Sequence, residues 1–390
     1  MENVLDNSSQ EQRIHFKDKA GRFFRRISRA LRNRTFLYIV RRTLSSLFTL
    51  FLLVAVVTAL LRLLPDTKFY DTKEFRVIAG KAGQDAAERW RDSQLYLAGR
   101  IELDGTRTSV LGTIFRYIYW ILPIPKAVPV QWNSSYTTAM TYHIAVSYFG
   151  RAQSVIGVPF IFDLFVDHVG ISFRISIITT LIAYVLSVPL GIAMAKRPGG
   201  TIDKIGNVFI VLNYAIPALV FYLLMCNLFG DANGIFAWGN FGTVYHDDRW
   251  WSLVPPIFCV TFLSIPGIAI WVRRFMVDEL SSDYVKFARS KGLSENRIMY
   301  THVLRNASVP LIRGLPSIFL GAIIGSYYIE YIWSIPGTGR LLINALQGSS
   351  PDCQLVQALT VIYAALSMAS FLLGDIITIF FDPRIKLIAE

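Results

Sequence analysis

Hydrophobic positions gather into long charge-free runs rather than alternating with polar ones. Such runs cover residues 43–61, 175–195, 205–230, 250–272, 314–329 and 354–381, the last interrupted only by Asp375. The fifth can start a turn earlier, at Val309. A helix rises about 1.5 Å per residue, so about 20 apolar residues cross a hydrocarbon core about 30 Å thick. Six runs predict six transmembrane helices in an all-α polytopic membrane protein. The composition agrees: 53% of the 390 residues are hydrophobic and only 17% charged, against about a quarter charged in a soluble domain.

Lysine and arginine flank these runs unevenly, and cytoplasmic flanks carry the excess. Arg22, Arg25, Arg26, Arg29, Arg32, Arg34, Arg41 and Arg42 precede the first run. Lys196, Arg197 and Lys204 follow the second, and Arg273 and Arg274 the fourth. The segment between the third and fourth holds Asp231, Asp247 and Asp248 against Arg249. Both termini are therefore expected in the cytoplasm of a bacterial cell, with the net charge of +12 marking the inner membrane face rather than nucleic-acid binding. Residues 1–42 are expected to be a retained basic segment, with Phe16, Ala20, Phe23, Phe24, Ile27 and Leu31 on one face of an amphipathic interfacial helix. Residues 43–64 then form the first span.

Residues 65–174 carry mixed charge and are expected to form an extracytoplasmic domain. Within them residues 110–125 look membrane-like, but the run is too short to cross and contains Arg116. It reads as a surface-lying or domain-core helix. Trp90, Tyr96, Tyr117 and Trp120 supply bulk that disordered chains lack. Residues 175–381 hold the remaining spans with a cytoplasmic loop at 273–308, and 382–390 form a cytoplasmic tail.

Signs of enzymatic chemistry are missing. No HExxH, GxSxG or GxxxxGK[ST] motif occurs, and His15, His143, His168, His246 and His302 lack metal-ligand spacing. Cys226, Cys259 and Cys353 form no CxxC; by this topology Cys353 faces outside. The chain is expected to be no enzyme and to hold no metal or cofactor of its own. Asp375, an acid inside a span, is expected to pair with the basic cytoplasmic rim.

The loop between the fourth and fifth spans is the most informative stretch. Residues 278–292 read as a helix with Ser282 as N-cap and Gly292 as the left-handed stop. Ser294 caps a second helix toward Val309 and Pro310, giving a cytosolic hairpin. Tyr284 to Pro310, with the core Ala288-Arg289-Ser290-Lys291-Gly292-Leu293-Ser294 and His302-Val303-Leu304-Arg305-Asn306-Ala307, resembles the EAA loop of inner-membrane permease subunits of ABC importers, in their oligopeptide and dipeptide branch. Tyr38-Ile39-Val40-Arg41-Arg42, Arg62-Leu63-Leu64-Pro65, Pro189-Leu190-Gly191, Glu330 to Leu341 and Asp382 to Leu387 are similar to that branch too, in the same order. Lys286 and Phe287 stand where the broader pattern has Glu and Ala, and Arg305 where some branches place Pro. The resemblance leaves 66–148 unexplained.

The resemblance implies a type I importer permease fold working with a second homologous permease subunit, two ATP-binding subunits that carry ATP and Mg, and an extracytoplasmic solute-binding protein. It implies a coupling site at Tyr284, Ala288, Arg289, Gly292, Leu293, Ser294 and His302. Small residues at Ala288 and Gly292 suit a helix that enters a groove. Glu330, Pro336, Gly337, Gly339 and Arg340 are the expected external gate or docking loop. Pro189, Pro217 and Pro266, each inside a span, are expected hinges, and Gly321 with Gly325 has the spacing of a close helix contact. Peptides are the substrate implied, with nickel chelates and some sugars as alternatives. A stand-alone channel or membrane receptor is the rival from another class.

Overall fold

A computed structural model describes residues 34–381 except 103, 133–139, 153–159, 231–235, 237–238, 240, 325 and 348–350. The expected N-terminal amphipathic helix, the tail at 382–390 and Gly325 lie outside the described residues. The chain is overwhelmingly helical. Helix α1 (Arg34–Arg62) is the first span, and three short helices follow outside it: α2 (Thr72–Ala82), α3 (Gln84–Leu97) and α4 (Val110–Ile121). Strands β1 (Lys126–Trp132) and β2 (Met140–Ala145) pair antiparallel with a register irregularity between Pro129 and Gln131. Then come α5 (Ile161–Lys196), α6 (Thr201–Ala215), α7 (Ala218–Gly230), α8 (Val254–Leu280) and α9 (Asp283–Ser290). Glu295–Arg297 and a π-helical turn, Ile298–Val303, lead into α10 (Leu304–Ile324), which is followed by α11 (Tyr327–Ile332), α12 (Thr338–Leu346) and α13 (Cys353–Phe381).

Among the described residues four helices are long and apolar enough to cross a membrane, and a fifth crossing results if α6 and α7 count as one. Three expected boundaries change. The second span starts at Ile161, fourteen residues before 175, because Asp163, Asp167, His168 and Arg174 ride on an extension beyond the apolar run, where charge costs little. The segment between the first two spans is correspondingly shorter at its C-terminal end. The third span is bent by 90° between α6 and α7. The break falls at Pro217, where the proline disfavours helical backbone in the residue before it and Ile216 is extended at φ −84°, ψ 118°. The fifth run ends at Ile324, so that Ile329 belongs to the separate helix α11; with Arg305, Arg313, Pro310 and Pro316 along it, α10 falls short of the apolarity of the other spans.

Small residues set how closely the helices approach. A Cβ at Gly191 would lie 2.7 Å from the Ala269 carbonyl, so this glycine lets the backbones of α5 and α8 touch. Pro189 and Pro266 lie inside helices that continue past them. Pro266 leaves the Phe262 carbonyl without its usual amide partner, and the side-chain amide of Asn213 on α6 donates to that carbonyl at 3.2 Å.

Charged residues clamp both ends. At the outer end of α1, Arg100 donates to the carbonyls of Leu61 at 3.1 Å and Leu64 at 2.7 Å and pairs with Asp66 at 2.7 Å, satisfying carbonyls that a helix C-terminus leaves open. Arg62 reaches the carbonyls of Arg100 at 3.1 Å and Thr108 at 2.5 Å. These contacts pin the described part of the segment after α1 to the first span. At the other end Asp375 on α13 pairs with Arg42 at 2.6 Å and Arg313 at 2.7 Å, the ion pairing expected of it. Cys353, expected to face outside, is buried beneath Phe69, Leu95 and Ile101, so its thiol is not exposed in this chain.

Candidate functional site

Three features converge on α5 and α8: a cavity, a hairpin at one end of the helices and a folded loop near the other. The cavity is an open groove of about 910 Å³ walled by α5, α7, α8, α10 and α11. Thr180, Tyr184, Tyr222, Ser264, Trp271 and Ser317 line it, and no Asp, Glu, Lys, Arg or His is among its lining residues. The wall offers neutral hydroxyls and aromatic faces to an occupant, and no nucleophile paired with a base. Sequence reasoning missed this wall, since its residues come from five helices. One signal was available: Ser176, Thr179 and Thr180 repeat at helical spacing within an apolar run.

The hairpin consists of α9, a tight turn and the Glu295–Val303 stretch. Its first helix starts at Asp283, since α8 itself runs on to Leu280; the expected single helix over 278–292 is two. The second does not stop near Pro310 but continues as α10. Ser282 and Ser294 hold extended N-cap backbones without side-chain cap bonds. Gly292 closes α9 with φ +77°: its amide donates to the Arg289 carbonyl at 2.9 Å and that of Leu293 to the Ala288 carbonyl at 3.3 Å, a Schellman stop that favours glycine. Arg289 clasps Glu295 through two hydrogen bonds at 2.8 and 3.2 Å, and the first of these holds the Glu295 carboxyl below its usual range.

Ala288 is only 6% exposed and packs with Val285, Ile298, Met299 and Val303 against Ile192 and Ala195 of α5 and Val272 and Met276 of α8. Its small size serves packing within the chain, where the expectation had it filling a partner's groove. Tyr284 and Leu293 are half-buried at the edge of the same cluster, and the Tyr284 hydroxyl donates to Glu279 at 2.7 Å. His302 is half-buried in the π turn. The open face of the hairpin is formed by Phe287, with Lys291 4.4 Å over its ring, together with Arg289, Gly292, Ser294 and Tyr300. A Cβ at Gly292 would meet nothing within 4 Å.

The loop after α11 folds inward. Glu330 is 1% exposed, and its carboxylate accepts from the amides of Gly339 at 2.8 Å, Ser326 at 3.1 Å and Arg340 at 3.2 Å. The Ser172 hydroxyl of α5 accepts from the Thr338 amide at 2.8 Å. A Cβ at Gly337 would collide with Glu330 and Ser172, and one at Gly339 would come within 2.9 Å of the Tyr327 backbone. Glu330, Gly337 and Gly339 are thus the loop's internal frame. Pro336 is exposed, while Arg340, expected in the gate or docking loop, is half-buried and donates to the Ser334 carbonyl at 2.5 Å, so its cation is engaged within the loop. Of the expected hinges, Pro217 marks a true break.

Residues 187–387 match the family of binding-protein-dependent transport system inner membrane components. That stretch takes in the hairpin, the folded loop and most of the cavity wall. The oligopeptide transport system permease protein AmiC of Streptococcus pneumoniae is 38% identical over 211 residues, which are 54% of this chain and 41% of AmiC. The peptidoglycan transport system permease protein YejB of Agrobacterium fabrum is 30% identical over 67% of this chain and 72% of its own length. The dipeptide transport system permease protein DppB of Lactococcus lactis subsp. cremoris is 29% identical over 63% and 78%. The MetNI methionine ABC transporter in an inward facing conformation superposes with a TM-score of 0.41 at 16% identity, over 56% of this chain and 97% of that one. The family match covers half of the chain, 201 of its 390 residues, and the chain belongs to the binding-protein-dependent transport system inner membrane components.

Proposed function

We propose that this chain is a permease subunit of an ATP-driven ABC importer and forms half of a translocation pathway for oligopeptides or dipeptides. Peptide is the cargo named for AmiC and DppB, and a neutral wall of hydroxyls and aromatic rings suits backbones that carry varied side chains. The observation that carries the reading is a shared framework. The helices that place Thr180, Tyr184, Ser264 and Trp271 in the cavity wall also place Ile192, Ala195, Val272 and Met276 in the hairpin core. A push on the hairpin therefore moves the wall.

In this reading an ATP-binding subunit, which binds the ATP and Mg, docks on the open face around Phe287, Lys291 and Gly292. A second homologous permease completes the pathway. A solute-binding protein delivers substrate on the outer side, where the 65–160 module and Pro336 lie. Both termini are cytoplasmic, in accord with the basic flanks. Reconstitution tests the proposal: vesicles holding this chain, a partner permease, ATP-binding subunits and binding protein should take up peptide on ATP addition. The chain alone should hydrolyse no ATP. Hydrolysis by the single chain, or no peptide uptake by the full set, overturns it.

A further inference from the structure

Helix α4 is twelve residues long, about 18 Å, a little over half of a hydrocarbon core about 30 Å thick. Two fixed points give its depth. The Thr108 carbonyl, just before it, accepts from Arg62 at the outer end of α1. Tyr117 and Trp120, two and three turns further on, pack on Val54 of α1 and Val361 of α13. Val54 lies eight residues before Arg62 and Val361 eight residues after Cys353, each about 12 Å inward along its own span. Helix α4 thus descends beside the first span instead of lying on top of it.

Its far end is built for a place without water. The Ile118 carbonyl accepts from the Leu122 amide at 3.1 Å and the Trp120 carbonyl from the Tyr148 amide at 2.8 Å. The Lys126 ammonium donates to the carbonyls of Tyr119 and Leu122, the latter at 2.6 Å. A helix terminus in water can leave its last carbonyls to solvent, whereas one in hydrocarbon needs internal partners for them. On the face turned away from Val54, Leu111, Phe115 and Tyr119 recur every four residues and are 66%, 60% and 51% exposed, with Leu122 extending the row. Arg116 points elsewhere, paired with Glu102. Leu52, Val56 and Leu60 of α1, the helix it packs on, are exposed as well, the lipid-facing side of a membrane span.

We propose that α4 is a half-membrane helix whose Leu111, Phe115 and Tyr119 face sits among the acyl chains of the outer leaflet. It anchors the outward module to the bilayer beside the first span. This replaces the surface-lying or domain-core helix that the sequence suggests.

The test uses the full chain in phospholipid vesicles with a fluorophore on Leu111→Cys or Phe115→Cys. Both sites are exposed and tolerate the change, and the three native cysteines are buried. Val56→Cys on the first span and Val77→Cys on the outward module serve as references. Lipids brominated along the acyl chain should remove emission at 111 and 115 as they do at 56, and aqueous iodide should leave it unchanged. Quenching by iodide, as at 77, overturns the proposal in favour of water. Shielding from both quenchers overturns it in favour of a protein surface covering the row.

Discussion

Asn213 and Phe262 are joined by a hydrogen bond that mends a helix. Pro266 leaves the Phe262 carbonyl unpaired, and Asn213, three residues before the α6–α7 bend, supplies the missing donor at 3.2 Å. The 90° bend of the third span and a proline of the fourth are thereby one unit. Asn213→Leu should lower stability by about 1–3 kcal/mol, the cost of stranding a buried acceptor. In a Pro266→Ala background the backbone amide returns, and the same substitution should cost less. Thermal unfolding of the four proteins of this cycle measures the coupling, and additive losses would show that Asn213 serves another purpose.

Asp375 holds two cations, and each has partial access to water while the carboxylate is almost enclosed. Asp375→Asn should cost about 1–2 kcal/mol, less than a fully buried pair would, because both arginines can turn outward. Arg42→Gln or Arg313→Gln alone should cost less than that, since one cation remains. The double arginine variant should lose more than the sum of the singles. Melting temperatures of the four variants decide it.

The hairpin separates packing from docking. Gly292→Val should cost about 1–2 kcal/mol from its left-handed backbone alone, since its Cβ position is open. Ala288→Glu should be far more damaging, because it drives a carboxylate into the core shared with α5 and α8. Phe287→Ala and Lys291→Glu, both on the open face, should leave the fold intact and abolish co-purification with the ATP-binding subunit. Retained co-purification in these two variants would leave the docking face without support.

The folded loop should tolerate no methyl at Gly337. With Glu330 and Ser172 already in the place a Cβ needs, Gly337→Ala should cost about 1–3 kcal/mol by overpacking. Glu330→Ala should cost more, because it strands the buried amides of Gly339, Ser326 and Arg340 together. Unfolding midpoints of both variants, compared with the exposed control Pro336→Ala, check the order.

What could be read without coordinates followed from local rules. Apolar runs located the first, second, fourth and last spans, the Gly292 stop needs only one backbone conformation, and a lone acid near a basic rim will pair with it. What could not be read depends on neighbours. Smallness at Ala288 and Gly337 signals close approach, but sequence does not say to what. The charges of Asp163 and Arg174 look like the end of a span, although a helix keeps going once it leaves hydrocarbon. The bend at Pro217 depends on packing that chooses between a kink and a break. Cavity residues scattered over five helices share no motif.

Helix α5 runs unbroken for 36 residues, about 54 Å. One end is packed with Leu341, Leu355 and Leu359, the middle lines the cavity, and the other end lies in the hairpin core. It behaves as a rod through the bilayer with no joint but the missing hydrogen bond at Pro189. A tilt of about 5° about one end would carry the other about 5 Å, close to the rise of one helical turn. Because a rod transmits both ways, whatever biases the end beside Leu341 must bias the hairpin, and whatever grips the hairpin must bias that far end in equal measure.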